Sequence, residues 1–239
     1  MIIQKSKIRA GCKDLWNAFM VKGAIFSEND IPFCPTTAKE TPKKLTSFSR
    51  AKTMYNKHKK RGDIDFFEDA CVHFYQDDQN FDGKRCGIWT EPLMALEILC
   101  HFAGVITPDF STCADFPEPI KTMNTYRMRA FGYWYGTLLG HSVINNVRWG
   151  TSETFSYCFD GIPKNSVVAI GTVASGLKEV KNRGDFKIGF RKMLEVLQPH
   201  TIIIYGSDNY DFFDEIRQQI KIIHFRSETD IALRGELNE

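Results

Sequence analysis

The acids, hydroxyls and glycines of this chain gather just behind its apolar runs. Asp77 and Asp78 follow "CVHFY" (71–75), and Asp109 and Ser111 follow "GVIT" (104–107). Trp149 closes "SVINNVRW", Gly171 and Thr172 end "SVVAIGT", and Ser207 stands behind "TIIIYG". Carboxylates from neighbouring strand ends suit a hard divalent cation, so Asp77, Asp78 and Asp109 form a candidate metal set. Asp109 shares its short loop with Asp115, and Asp109 and Arg127 are the candidate catalytic residues. Arg127 falls on one helical face with Met123, Ala130 and Trp134, at the margin of a core, where a guanidinium needs an anion. Asp109 or Asp115 is the expected partner, as a salt bridge; capture of a ligand phosphate or carboxylate is the sharper alternative. Ser111, Trp149, Gly171, Thr172 and Ser207 are candidate ligand contacts. The plain alternative for all of these positions is that loops leading into helices need such residues as caps and turns.

Two further patterns could carry chemistry. "GTVASGLK" (171–178) has the G-x4-G spacing of a phosphate loop, but Leu177 stands where the lysine belongs and Lys178 where Ser or Thr should be, so a P-loop NTPase is not supported. Positions 39–61 hold nine Lys or Arg against one Glu, with Phe48 and Tyr55 interleaved. Lys57, Lys59 and Lys60 could track a phosphate backbone, or form a solvated helix face docked on the acids of 63–82. The seven cysteines form no C-x-x-C pair, so no zinc site is expected. Cys113 or Cys158 could serve as a nucleophile, though a buried small hydrophobe is the default.

The elements that must position these residues read as α/β. From about residue 70, short β-branched or aromatic runs alternate with helical patterns at 92–102, 120–140, 186–197 and 210–220. That rhythm predicts a mostly parallel sheet of about six strands with flanking helices. An open, doubly wound sheet is favoured; an incomplete or irregular β/α barrel is the alternative, since a full barrel needs eight strands. Residues 1–62 read as an N-terminal extension packed on the core, irregular through "DIPFCPTTAKETPKKL", then a basic helix capped by Ser47 or Ser49 and closed at Gly62. Thr90 is expected to cap the helix that begins at Pro92. Residues 63–239 form the α/β core. In a parallel sheet every helix N-terminus points beyond the carboxyl ends of the strands, so ligands gather there.

Composition narrows the class. The chain has 239 residues, 43% hydrophobic and 25% charged, with a net charge of +2, too small to argue for nucleic acid by itself. The longest apolar stretch, "LMALEILCHFAGVI", is 14 residues long and contains Glu97 and His101, too short to span a bilayer. With no leader-like opening, a reduced cytoplasmic protein is expected.

"ITPDFSTCADFP", "YRMRAFGYW", "VINNVRWG", "FDGIPKNSVVAIGTV" and "TIIIYG", in this order, resemble an uncharacterised family of phage, prophage and plasmid proteins defined as a domain of unknown function. The resemblance covers roughly residues 70–230. It implies a mobile-element protein acting in a host cytoplasm and carries over no catalytic residues; relatives carry a second glycine where this chain has Ala174. Three functions follow as expectations. The first is a phage protein that binds a nucleotide or nucleic acid in replication or host takeover. The second is a metal-assisted phosphoester-processing enzyme using Asp109 with Asp77 or Asp78. The third is a binding protein that inhibits a host factor.

Overall fold

The computed structural model describes residues 5–234, apart from 85, 86, 174 and 178. Seven parallel strands form one sheet: β1 (Leu45–Ser47), β2 (Glu68–His73), β3 (Phe102–Ile106), β4 (Ser142–Asn146), β5 (Val167–Gly171), β6 (Thr201–Tyr205) and β7 (Lys221–Phe225). Their spatial order is their chain order. Six coincide with the predicted runs; the seventh, β1, comes from the N-terminal extension. Three residues long, it runs directly into the basic helix α1 (Phe48–Lys60), which hid it as a strand. Ser47 ends the strand and caps the helix, accepting from the Arg50 N–H.

The order corrects the doubly wound expectation. A doubly wound sheet reverses direction at a switch point, whereas here each strand lies beside its predecessor without reversal. Right-handed crossovers that always advance the same way place the connections on one face. That face carries α3 (Pro92–Leu99), α4 (Glu118–Leu139), α5 (Val180–Leu197) and the short α2 (Asp78–Phe81) and α6 (Asp211–Asp214). Two apolar clusters lie beneath them, one around Phe48, Phe74 and Phe131 and one around Phe190, Met193 and Phe213. The opposite face buries itself by curling. Tyr75, just past β2, stacks on Tyr205 of β6 at 5.3 Å between ring centroids, and His73 lies 4.1 Å from the same ring. Cys71, Ile106, Ile144, Ala169 and Ile203 fill the rest of this inner layer. The result is a half-barrel, the runner-up architecture. Its open sides are tied by Glu228 of α7 (Glu228–Leu233), whose carboxylate accepts from the Ser47 N–H (3.0 Å) and hydroxyl (2.9 Å).

The N-terminal extension passes through the wall of this sheet. β4 and β5 pair only at Asn145 and Asn146, leaving their first halves apart. Into that gap runs 34–37. Thr37 exchanges hydrogen bonds with Val143, Thr36 reaches the Val167 carbonyl, and the Asn145 amide donates to the Cys34 carbonyl at 2.8 Å. Cys34 lies on the helix side against Gly132 of α4, while Ala38 packs on the inner layer.

Helix ends refine two expectations. Gly140, at φ 65°, stops α4 as expected. Thr90 does not cap α3; its hydroxyl donates to the Gly83 carbonyl, and Glu91 occupies the cap position.

Candidate functional site

Because all strands run the same way, their carboxyl ends share one edge. Asn146, the last residue of β4, organises that edge. Its carbonyl oxygen accepts from the Tyr75 hydroxyl at 3.0 Å, and its amide donates to Asp109 Oδ1 at 2.7 Å. Arg148 Nη1 donates to the other oxygen of Asp109 at 3.2 Å. Burial raises the Asp109 carboxyl above its usual 3.8, Arg148 and Asn146 oppose the rise, and nearby Asp78 adds to it. Burial, and then Asp109, push the Tyr75 phenol well above its ordinary range. A tyrosine, an amide, a carboxyl and a guanidinium therefore form one buried chain leading outward.

The chain ends at a cavity of about 360 Å³ beyond β3, β4 and β5, lined among others by Thr112, Arg148, Trp149, Gly171, Ser175, Asp185 and Phe186. That volume lies in the range of small-molecule sites. Trp149 lies flat on α5 because position 189 is glycine; a Cβ there would stand 2.3 Å from the indole. Phe186 packs beside the indole at 4.9 Å. Gly171 is required for a similar reason, since a side chain would strike the Tyr75 ring. Gly150 lets the strand-end loop approach the Thr112 carbonyl.

The anticipated residues divide. Asp109, Trp149 and Gly171 meet at or behind the cavity. Thr172 lies behind it, donating to the carbonyls of Tyr205 (3.2 Å) and Ser207 (2.8 Å). Ser207 is exposed and its hydroxyl accepts from the Asn209 N–H. Ser111 is a pin: its N–H and hydroxyl both donate to Asp78, and its carbonyl accepts from Asn124. Arg127 corrects an expectation. Its partner is Asp82, not Asp109 or Asp115, with Asn124 beside it and the Phe110 ring 3.7 Å beneath. Arg127 reaches the loop after β3 at Phe110, but the neighbouring Asp109 carboxylate is turned to Asn146 and Arg148, so Asp82 is the acid it meets.

The expected cation set does not assemble. Asp77 is exposed, Asp78 serves Ser111 and Asp109 serves Asn146 and Arg148. Among the described residues no three His, Cys, Asp or Glu side chains come together as a metal site. Ala174 and Lys178 of the glycine loop lie outside the described residues. Lys57, Lys59 and Lys60 are exposed on the last turn of α1. A crossover helix returns to the amino edge of the sheet, so these lysines sit at the opposite edge from the cavity.

Tyr75, Asn146 and Arg148 were missed as site residues, although "SVINNVRW" carried a signal. Two adjacent amides inside an apolar strand are costly unless both find partners. Arg129 was also missed. It is fully buried and donates to three backbone carbonyls, of Asn146 (3.0 Å), Asp160 (3.1 Å) and Cys158 (3.2 Å). Burial lowers its pKa to about 10. It holds the end of β4 from behind. Gly161, at φ 73° and against the Pro32 carbonyl, closes the same corner; its own carbonyl accepts from the Cys34 N–H at 2.7 Å.

A singly wound parallel α/β half-barrel with a cavity at its carboxyl edge is the class that these features define. The chain belongs to the family described as Domain of unknown function (DUF4417), whose model matches residues 25–226. It is 34% identical over 139 residues to the Gene 1 protein of Mycobacterium phage L5, covering 57% of each chain. It is 33% identical over 143 residues to the Gene 1 protein of Mycobacterium phage D29, covering 59% of this chain and 50% of that one. The alignments thus span 57% and 50% of the length of these two relatives. No solved structure matches. Among the described residues no helix is long and apolar enough to cross a membrane.

Proposed function

We propose that this is a phage or mobile-element protein that binds a nucleotide in the carboxyl-edge cavity, in the service of replication or host takeover. The observation that carries this reading is the pairing, in one small cavity, of an indole and a guanidinium: Trp149 and Arg148 are consecutive and both line it. An aromatic face suits a base, and a cation with unused N–H donors suits a phosphate. Asn182 in the first turn of α5 borders the same space, near the positive end of the helix dipole, and Asp185 of the next turn adds a carboxylate to the lining. The phage origin of the curated relatives supports the biological setting. Calorimetric titration with the common nucleoside mono- and triphosphates tests it. Binding that is lost in both Trp149→Ala and Arg148→Ala is the expected result. A chain that no nucleotide heats or stabilises would sink the reading.

An enzymatic role rests on a different observation, the buried carboxyl of Asp109 behind that cavity. A carboxyl held above its ordinary pKa is suited to general acid–base work. If it acts so, Asp109→Asn should retain nucleotide binding while losing turnover of the bound phosphate ester.

A further inference from the structure

The cavity wall holds two hydroxyls that the fold itself does not use. Thr112, from the loop after β3, is 3% exposed, and its Oγ1 has no hydrogen-bond partner among the described residues. Thr151, two residues past Trp149, likewise has a shielded Oγ1 without a partner. Both residues line the cavity that Arg148 and the α5 N-terminus also border. A buried hydroxyl without a partner costs free energy that a methyl group would not. Two of them in one wall are therefore unexplained by folding. Both oxygens are shielded in this conformation, so offering either of them to a ligand takes a change of χ1 rotamer.

The neighbouring groups define what the hydroxyls would meet. Arg148 engages Asp109 through a single N–H, leaving further donors on its guanidinium. Asn182, the first-turn residue of α5 that lines the cavity, donates its N–H to the Glu179 carbonyl and its side-chain amide to the Gly176 carbonyl. On this wall the guanidinium donates and the two hydroxyls can donate, so the group that fits there is an oxyanion, while Asp185 and Asn182 of α5 line another part of the cavity. The indole of Trp149 lies between this wall and the Phe186 side. The volume of about 360 Å³ is at the small end for ligand sites, which suits one base, one sugar and one phosphate.

We infer that Thr112, Thr151 and Arg148 form a phosphomonoester subsite, and that the ligand is a nucleoside monophosphate seated with its base against Trp149. This rests on the nucleotide reading above and adds the orientation and the phosphate count. A phosphomonoester can also terminate a nucleic-acid strand, so the test must separate a free mononucleotide from a strand end.

The experiment is calorimetric titration of the full chain with nucleoside monophosphates, the same nucleosides, and a short oligonucleotide with and without a 5′-phosphate. It is repeated on the double variant Thr112→Val and Thr151→Val. The monophosphate should bind at least about tenfold tighter than its nucleoside, the worth of a charge-assisted hydrogen bond. In the double variant that ratio should collapse towards one. Thr112→Val alone should leave the ligand-free melting temperature unchanged or raised, because the hydroxyl it removes holds nothing in the fold. A lowered melting temperature would make Thr112 structural and overturn the subsite. Equal binding of nucleoside and monophosphate would overturn it too, while leaving the nucleotide reading standing. Binding of neither would overturn both. Tight binding of the 5′-phosphorylated oligonucleotide alone would keep the subsite and replace the mononucleotide by a strand end.

Discussion

Asp109 is held at the cost of its own ionisation. Its partners Asn146 and Arg148 lower its pKa, but burial outweighs them and the folded value stays above 3.8. A carboxyl with a raised folded pKa binds its proton more tightly in the native chain than in the unfolded one. Its contribution to stability is therefore greatest at acid pH and declines as pH rises from 3.8 through the folded value. Comparing urea unfolding of the wild type and Asp109→Asn at a series of pH values isolates this term. The stability difference, wild type minus variant, should fall with rising pH across that window and then level off. A rising difference would show that Arg148 governs the site after all. Asp109 was legible in the sequence because an acid behind a strand end is conspicuous. Its three working neighbours, Tyr75, Asn146 and Arg148, come from two other strands, so nothing local tied them to it.

At the level of elements, α4 and α5 show how far local preference goes. Both helices were readable from spacing, and both contain interior glycines that propensity alone counts as defects. At Gly132 an added Cβ would stand 2.4 Å from Thr107 Cγ2 and 2.7 Å from the Cys34 sulfur. At Gly184 it would meet nothing within 4 Å. Gly184→Ala should therefore stabilise the chain by about 0.5–1 kcal/mol through helix propensity. Gly132→Ala should destabilise it by about 1–3 kcal/mol, because overpacking between α4, β3 and the N-terminal segment exceeds the same propensity gain. Thermal unfolding of the two variants checks the contrast, and equal shifts would show that Cys34 and Thr107 can move aside. Arg127 belongs to this scale as well. Its place at the core margin follows from helical spacing, but its partner is Asp82 because the nearby Asp109 carboxylate is already held by Asn146 and Arg148.

For the whole molecule, the passage of residues 34–37 between β4 and β5 makes the N-terminal extension part of the sheet. Val143, Val167 and Asn145 all bond to it, and Cys34 fills the space left by Gly132. A chain lacking residues 1–38 should lose cooperative unfolding, since several buried groups lose their partners together. The single change Asn145→Ala should cost about 1–3 kcal/mol for the partners it orphans. Circular dichroism during thermal unfolding reads both, and a truncated chain that melts sharply at the wild-type temperature would refute the account. The same scale separates the two charged features: the lysines of α1 lie at the amino edge and the cavity at the carboxyl edge. Binding at the cavity and any salt-dependent contact through Lys57, Lys59 and Lys60 are thus independent.

The sequence by itself determined the α/β class, six of the seven strands, the stops at Gly140 and Gly62, and the edge where polar residues accumulate. These follow from periodicity, capping and the direction shared by parallel strands, which are local properties. The tertiary structure decided that the sheet curls instead of winding both ways, that the N-terminal segment enters its wall, and that Asn146 links Tyr75 to Asp109. It also decided which of two arginines in "YRMRAFGYW" pairs with an acid and which, Arg129, is held by three carbonyls. Those outcomes depend on which faces meet across dozens of residues, and hydrogen-bond partners chosen at that distance leave no mark in local spacing.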